Sequence, residues 1–392
     1  MKINAEDYND FDREDLVEHN ISSGSLSPFT FLCLMIITIG LGLFFLHSAT
    51  AYMAITKGLP HYYYALKQAT FVGIGIAAWI ILQKIPMKYI SYLGLPSVLV
   101  SIIFLCLTVF SPYGVTTMGA TRWLDLPLLP SFQPSEITKA SLVLFLASWF
   151  SSDRAKKYIG WYYVIPIFTI LLCVGLILLQ KSFTTSMIVL GISCIMLLVC
   201  GIKFRYLLIS ALFMIVPVCC ILLTEPYRVK RVFSFLFPNI DKSGINWQIN
   251  NSLNAIAEGG MFGKGIGNGE YKKGLLPEIE NDFIFANIAE EQGFLGVLLI
   301  LSLFFFFCVL GYRAYMRAAK YDKFSAYLAF GITTLISLQA SINICVVIGL
   351  LPPTGIPLPF FSLGGTNLLI LIVLCGLLYK IMRENIKAYG KE

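Results

Sequence analysis

Charge is scarce in this chain: Asp, Glu, Lys and Arg make up 13% of its 392 residues, where a globular domain carries about 25%. That shortage excludes a domain of this length whose whole surface meets water. Histidine is scarcer. His19, His47 and His61 are the only three and are scattered, which excludes a histidine metal cluster or a Ser-His-Asp triad. The ten cysteines all fall inside apolar runs and form no Cys-x-x-Cys pair, so they read as packing residues rather than disulfide or zinc ligands. A basic opening is also missing. Residues 1–27 hold seven acids (Glu6, Asp7, Asp10, Asp12, Glu14, Asp15 and Glu18) against Lys2 and Arg13, the reverse of a secretory signal. They read as an acidic, disordered cytoplasmic tail before a first helix that stays in the membrane.

What is present is apolar length. The chain is 57% hydrophobic, with a mean hydropathy of +0.77. Runs near the length of a membrane span occur at 28–48, 65–83, 91–111, 135–151, 162–180, 184–201, 206–224, 283–310, 325–350 and 366–382. Backbone polar groups in hydrocarbon must pair internally, and these runs are too long and too continuously apolar for barrel strands. The expectation is an all-α polytopic membrane protein of about ten transmembrane helices, with a membrane domain over 28–382 and a basic tail over 383–392. Lys84, Lys88, Arg154, Lys156, Lys157, Lys203, Arg205, Arg313, Arg317, Lys320 and Lys323 lie on one set of connections, which makes that side, and both termini, cytoplasmic.

One connection differs. Residues 225–282, between spans seven and eight, form a single long extracytoplasmic loop, and long loops in compact bundles usually carry function. Its segment 227–237 interleaves Arg228, Lys230 and Arg231 with Val232, Phe233, Leu236 and Phe237, a pattern that suits the headgroup plane, as an anchor or as a binder of lipid phosphates. The glycine-rich run 259–269 lacks the strand and the Gly-Lys-Ser/Thr of a nucleotide loop, so its glycines serve tight turns and close backbone approach. Asp282 stands where span eight begins. It reads either as a helix N-cap or as a general base at the outer membrane surface. Glu136 and Lys139, three apart, can pair on one helix face, and Glu290 and Glu291 are further ionisable groups in a span. Arg122, Lys139, Lys181 and Asp282 all map to the outer side, a setting for an anionic lipid headgroup beside a base.

Several stretches resemble the SEDS family (shape, elongation, division and sporulation). They are Met118-Gly-Ala-Thr-Arg-Trp-Leu124, Ser131-Phe-Gln-Pro-Ser-Glu-Ile-Thr-Lys139, the run 259–269, Leu276-Pro-Glu-Ile-Glu-Asn-Asp-Phe-Ile-Phe285, Glu290-Glu-Gln-Gly-Phe-Leu-Gly296, and 349–362 followed by Gly364-Gly365. The loop around Pro226–Arg231 looks closer to the division type, FtsW, than to the elongation type, RodA. The resemblance implies a peptidoglycan glycosyltransferase that polymerises lipid II at the outer leaflet of the bacterial inner membrane, at the division septum. It implies no cofactor, leaves a divalent cation open, and involves no nucleic acid. Asp282 matches the family's essential aspartate, the base for the acceptor hydroxyl. Arg122 and Lys139, then Lys181, are the candidate cations for the diphosphate, with Glu136 holding Lys139. Gln133, Lys264, Glu278 and Ser362 stand inside the motifs as further substrate-binding candidates. Implied partners are a class B penicillin-binding protein, other divisome proteins and membrane lipids. Three departures stand out: Glu280 and Asn281 where the family has His-Thr, Lys181 where it has an acid, and Ser362-Leu-Gly-Gly-Thr-Asn367 where it ends Ser-Tyr-Gly-Gly-Ser-Ser. The first adds a carboxylate near Asp282 and should raise one of the two pKa values.

Overall fold

The computed structural model describes residues 28–117, 119–127, 130–152, 162–202 and 245–389. The acidic tail, the seventh apolar run and the basic–aromatic segment 227–237 lie outside the described residues. Helices α1 (Pro28–Thr56), α2 (Tyr63–Lys84), α3 (Met87–Tyr92), α4 (Gly94–Phe110), α5 (Pro134–Ser151), α6 (Val164–Leu179) and α7 (Phe183–Val199) come first. After the break come α8 (Ile245–Gly259), α9 (Ile284–Ala318), α10 (Lys323–Val347) and α11 (Gly365–Tyr389). Nine of the ten expected spans therefore contain a helix. Five (α1, α2, α9, α10 and α11) are long and apolar enough to cross a membrane, and α4, α6 and α7 are shorter apolar helices. The last helix runs through the expected C-terminal tail to Tyr389.

The bundle packs α9 on α10, α2 on α11, and α5 against both α4 and α10. Ile80, Ile81, Phe168, Phe305 and Phe306 stay exposed on its outside. On a water-soluble protein such a surface would be a liability; in a bilayer it is the lipid face. Among the described residues the structure adds two features to the expected spans: helix α8 inside the segment expected as a loop, and a hairpin of β1 (Gly114–Thr117) and β2 (Ala120–Leu124) on the outer side of α4. The hairpin's cue was present in the β-branched residues flanking Met118-Gly119, with Gly119 at φ +76°.

Helix α9 is broken at Gly293, whose φ of 64° and ψ of −159° belong to a region that only glycine occupies readily. A break inside a span frees backbone groups that hydrocarbon cannot satisfy. The glycine-rich run meets them. Lys264 and Gly265 N–H donate to the carbonyls of Glu290 (2.9 Å) and Glu291 (3.0 Å), while Phe294 and Leu295 N–H donate to the carbonyls of Gly260 (2.9 Å) and Met261 (3.4 Å). The approach is close enough that a Cβ on Gly263 would lie 2.2 Å from the Glu291 carbonyl oxygen. The run is thus a strap bound backbone-to-backbone into a discontinuous helix.

Candidate active site at the outer face

Asp282 sits in the turn before α9, but it does not cap that helix. The cap position is Phe283, which has no side-chain cap bond, so the N-cap reading of Asp282 is corrected: the helix begins at Ile284, one residue too late. The turn itself is tightly held. Glu278, at φ 55°, accepts from the Asn281 and Asp282 N–H through its carbonyl, both at 3.0 Å, and from Asn281 Nδ2 through its carboxylate. Three successive carbonyls are then pinned from elsewhere in the chain. Leu363 N–H donates to Glu280 O at 2.8 Å, Ser362 Oγ donates to Asn281 O, and Asn343 Nδ2 donates to Asp282 O at 2.7 Å. The same Asn343 nitrogen reaches Ile356 O at 2.7 Å, tying α10, the C-terminal signature and the Asp282 turn together.

With its backbone fixed, the half-buried Asp282 directs its carboxylate toward the 352–357 segment. A Cβ built on Gly355 would lie 3.4 Å from Asp282 Oδ2. Ser362 is 5% exposed; its hydroxyl also accepts from Leu358 N–H at 2.8 Å. This corrects its assignment as a substrate contact. Its donor is committed to the turn, which makes it a positioning residue.

The cations form a second group. Glu136 and Lys139 of α5 pair at 2.8 Å and are both buried. Gln133 occupies the N-cap position of α5 without a side-chain cap bond. Arg122 on β2 donates from Nη2 to Lys181 O at 3.4 Å, and Lys181 takes a left-handed turn conformation (φ 59°) between α6 and α7. Helix geometry links this group to Asp282. A Cβ on Gly331 of α10 would meet Val143 of α5. The packed helices α5 and α10 each carry a buried polar residue toward this side: Ser135, next to Glu136, and Gln339, one turn below Asn343. Gln339 is 1% exposed and neither of its amide atoms has a partner; Ser135 Oγ also lacks one. Buried polar atoms left open in this way call for water or ligand.

Lys264 belongs elsewhere. It reaches Glu258, and Glu290 at 3.1 Å, within the strap rather than at Asp282. Tyr271 donates to Glu258 at 2.7 Å. Hydrogen bonds from Lys264 and Tyr271 hold the Glu258 carboxyl below its usual range, and the bond to Glu258 holds the Lys264 ammonium above its own. Burial, then the bond to Glu258, pushes the Tyr271 hydroxyl up to about 12. Glu280 is raised too, chiefly by burial and secondarily by the charge of Glu278. The rise on Glu280 comes from desolvation and Glu278 rather than from the charge of Asp282. The scattered histidines also meet in part: the rings of His47 and His61 lie 5.5 Å apart. Sequence reading missed Asn343, Gln339 and Thr354, whose buried Oγ1 lacks a partner. The first two were visible as amides four apart inside an apolar span.

The family model that describes cell cycle proteins of the FtsW, RodA and SpoVE type matches residues 28–387. The chain belongs to this family. It is 34% identical to the probable peptidoglycan glycosyltransferase FtsW of Borreliella burgdorferi, over 90% of this chain and 96% of that one. It is also 34% identical to the stage V sporulation protein E of Bacillus subtilis, with the same coverage. Among solved structures, a chain of a peptidoglycan synthase complex that coordinates polymerization and crosslinking superposes with a TM-score of 0.71 at 25% identity, covering 91% of this chain and 98% of that one. The rod shape determining protein RodA of Thermus thermophilus gives 0.66 at 24%, covering 93% and 99%, and shows the fold. As a member of the FtsW, RodA and SpoVE family, the chain is a multi-pass bacterial membrane protein.

Proposed function

We infer that the chain is a peptidoglycan glycosyltransferase of the FtsW type that polymerises lipid II at the outer leaflet, with Asp282 as general base. The observation that carries the assignment of the base is the pinning of three consecutive carbonyls, Glu280 to Asp282, from α10 and the 358–363 turn. A half-buried carboxylate on so fixed a backbone is preorganised to take a proton from a sugar hydroxyl. That oxygen attacks the donor's anomeric carbon, the bond from this carbon to the diphosphate oxygen breaks, and undecaprenyl diphosphate departs. Arg122 and Lys181 at the outer rim, and Lys139 from its pair with Glu136, are the cations proposed for the leaving diphosphate; Gln133 and Glu278 would line the sugar path. Names of relatives support the activity. The synthase complex, which coordinates polymerization with crosslinking, supports a crosslinking partner; we extend this to a class B penicillin-binding protein, other divisome proteins, a septal location and cytoplasmic termini.

A transporter gains nothing from the broken helix, because the groups freed at Gly293 bind the strap rather than a midplane cavity. The test is polymerisation of labelled lipid II by the purified chain with its partner. Asp282→Asn should cut glycan formation by about 10²–10⁴-fold, while Asp282→Glu retains a measurable part. Undiminished polymer from Asp282→Asn rules out this base.

A further inference from the structure

At the end opposite Asp282, α1, α9 and α11 line a shallow, open hollow whose inner recess is only about 20 Å³, so a bound group would lie across its mouth. Two arginines, Arg313 and Arg317, line it with the apolar side chains of Pro28, Leu310, Met382 and Ile386. Neither guanidinium has an ion-pair or hydrogen-bond partner among the described residues, whereas Asn385 at the same site is engaged with Ala314 O at 3.2 Å. Depth decides what can enter. Residues 294–310 of α9 carry no charge and span about 25 Å, close to the hydrocarbon thickness of a bilayer. Leu310 marks the inner edge of that band. Arg313 and Arg317, three and seven residues further, lie about 4–10 Å beyond it along the helix, in the headgroup layer.

We propose that this hollow binds the phosphate headgroup of an anionic phospholipid of the cytoplasmic leaflet. Two guanidiniums a helical turn apart suit the phosphate oxygens, and the apolar walls suit the glycerol esters and the first methylenes. Basic pockets between transmembrane helices on this side of a membrane favour such lipids. The acidic residues 1–27 precede Pro28 in the chain, but carboxylates on a peptide have no use for the walls formed by Leu310, Met382 and Ile386.

The test titrates the full-length protein in neutral detergent with phosphatidylglycerol or phosphatidylcholine, reading occupancy by native mass spectrometry and the lipid-induced rise in Tm. Wild type should bind phosphatidylglycerol preferentially, and the Arg313→Gln/Arg317→Gln double variant should bind it on the order of twentyfold more weakly, about fivefold per charge. Arg313→Lys/Arg317→Lys should keep most of the affinity, which separates charge from misfolding. Equal binding of the two lipids, or an unchanged phosphatidylglycerol affinity in the Gln variant, overturns the proposal. Full competition by soluble glycerol phosphate at the lipid's own concentration also overturns it, as a site for free phosphate. So does an arginine effect that vanishes once Glu14→Gln, Asp15→Asn and Glu18→Gln are introduced, which would assign the hollow to the tail.

Discussion

Two residues before the proposed base, Glu280 carries a second carboxylate that burial and the neighbouring Glu278 hold above the ordinary value. A carboxyl whose folded pKa is raised binds its proton more tightly in the native state than in the unfolded one. Stability is therefore lost as pH climbs from the ordinary glutamate value of 4.5 through the raised one. At neutral pH Glu280 is a cost to folding, so Glu280→Gln should raise the Tm at pH 7 and give no advantage below pH 4.5. A Tm gain that is the same at both values would show that the effect is not titration. The identity of Asp282 was legible at this scale, because the motif around it is dense. The roles of Ser362 and Lys264 were not. Ser362 is fixed by a partner 81 positions away and Lys264 by one 26 positions away, and nothing local in the chain announces either contact.

Span eight and the glycine-rich run are two halves of one element. The run's glycines serve close approach, as their density in the sequence suggests, but the helix break that demands the approach is hidden inside a continuous apolar pattern. Hydropathy sees side chains, whereas the break is a backbone event at Gly293. Replacing Gly293 by Ala forces a side chain onto φ 64° and drives its Cβ to 2.4 Å from Gly263 N. Strain of about 1–3 kcal/mol is joined by loss of strap hydrogen bonds at about 1 kcal/mol each. Gly293→Ala should lower the Tm in detergent and quicken proteolysis between residues 260 and 275, whereas Gly296→Ala should do less to the strap, because a Cβ there meets only side chains. Equal protection of the loop in wild type and Gly293→Ala would refute the coupling. The β1–β2 hairpin escaped for a different reason: strands of four and five residues between spans are too short to show a period.

Across the whole molecule, the loop that carries the chemistry has to be held to the bundle that spans the bilayer, and a buried charge cluster does this. Lys272 pairs with Glu291 of α9 at 2.5 Å and reaches both the carbonyl (3.2 Å) and the hydroxyl (3.3 Å) of Ser48 on α1. Ser48 Oγ donates in turn to Glu291 at 2.6 Å. Glu291 is fully buried and Lys272 nearly so. The first span, the broken span and the loop leading to Asp282 therefore meet at one ion pair, although Ser48 and Glu291 are 243 positions apart. Removing one charge strands the other where water cannot reach it, at a cost of about 3–5 kcal/mol. Lys272→Met and Glu291→Gln should each depress the Tm strongly and reduce lipid II polymerisation, because the turn at Asp282 loses its anchor. The double variant should melt well above either single one, since no uncompensated charge remains. If the two single losses simply add in the double variant, the pair is no clamp, and the loop is held by the strap at Gly293 and the pinned carbonyls of the Asp282 turn.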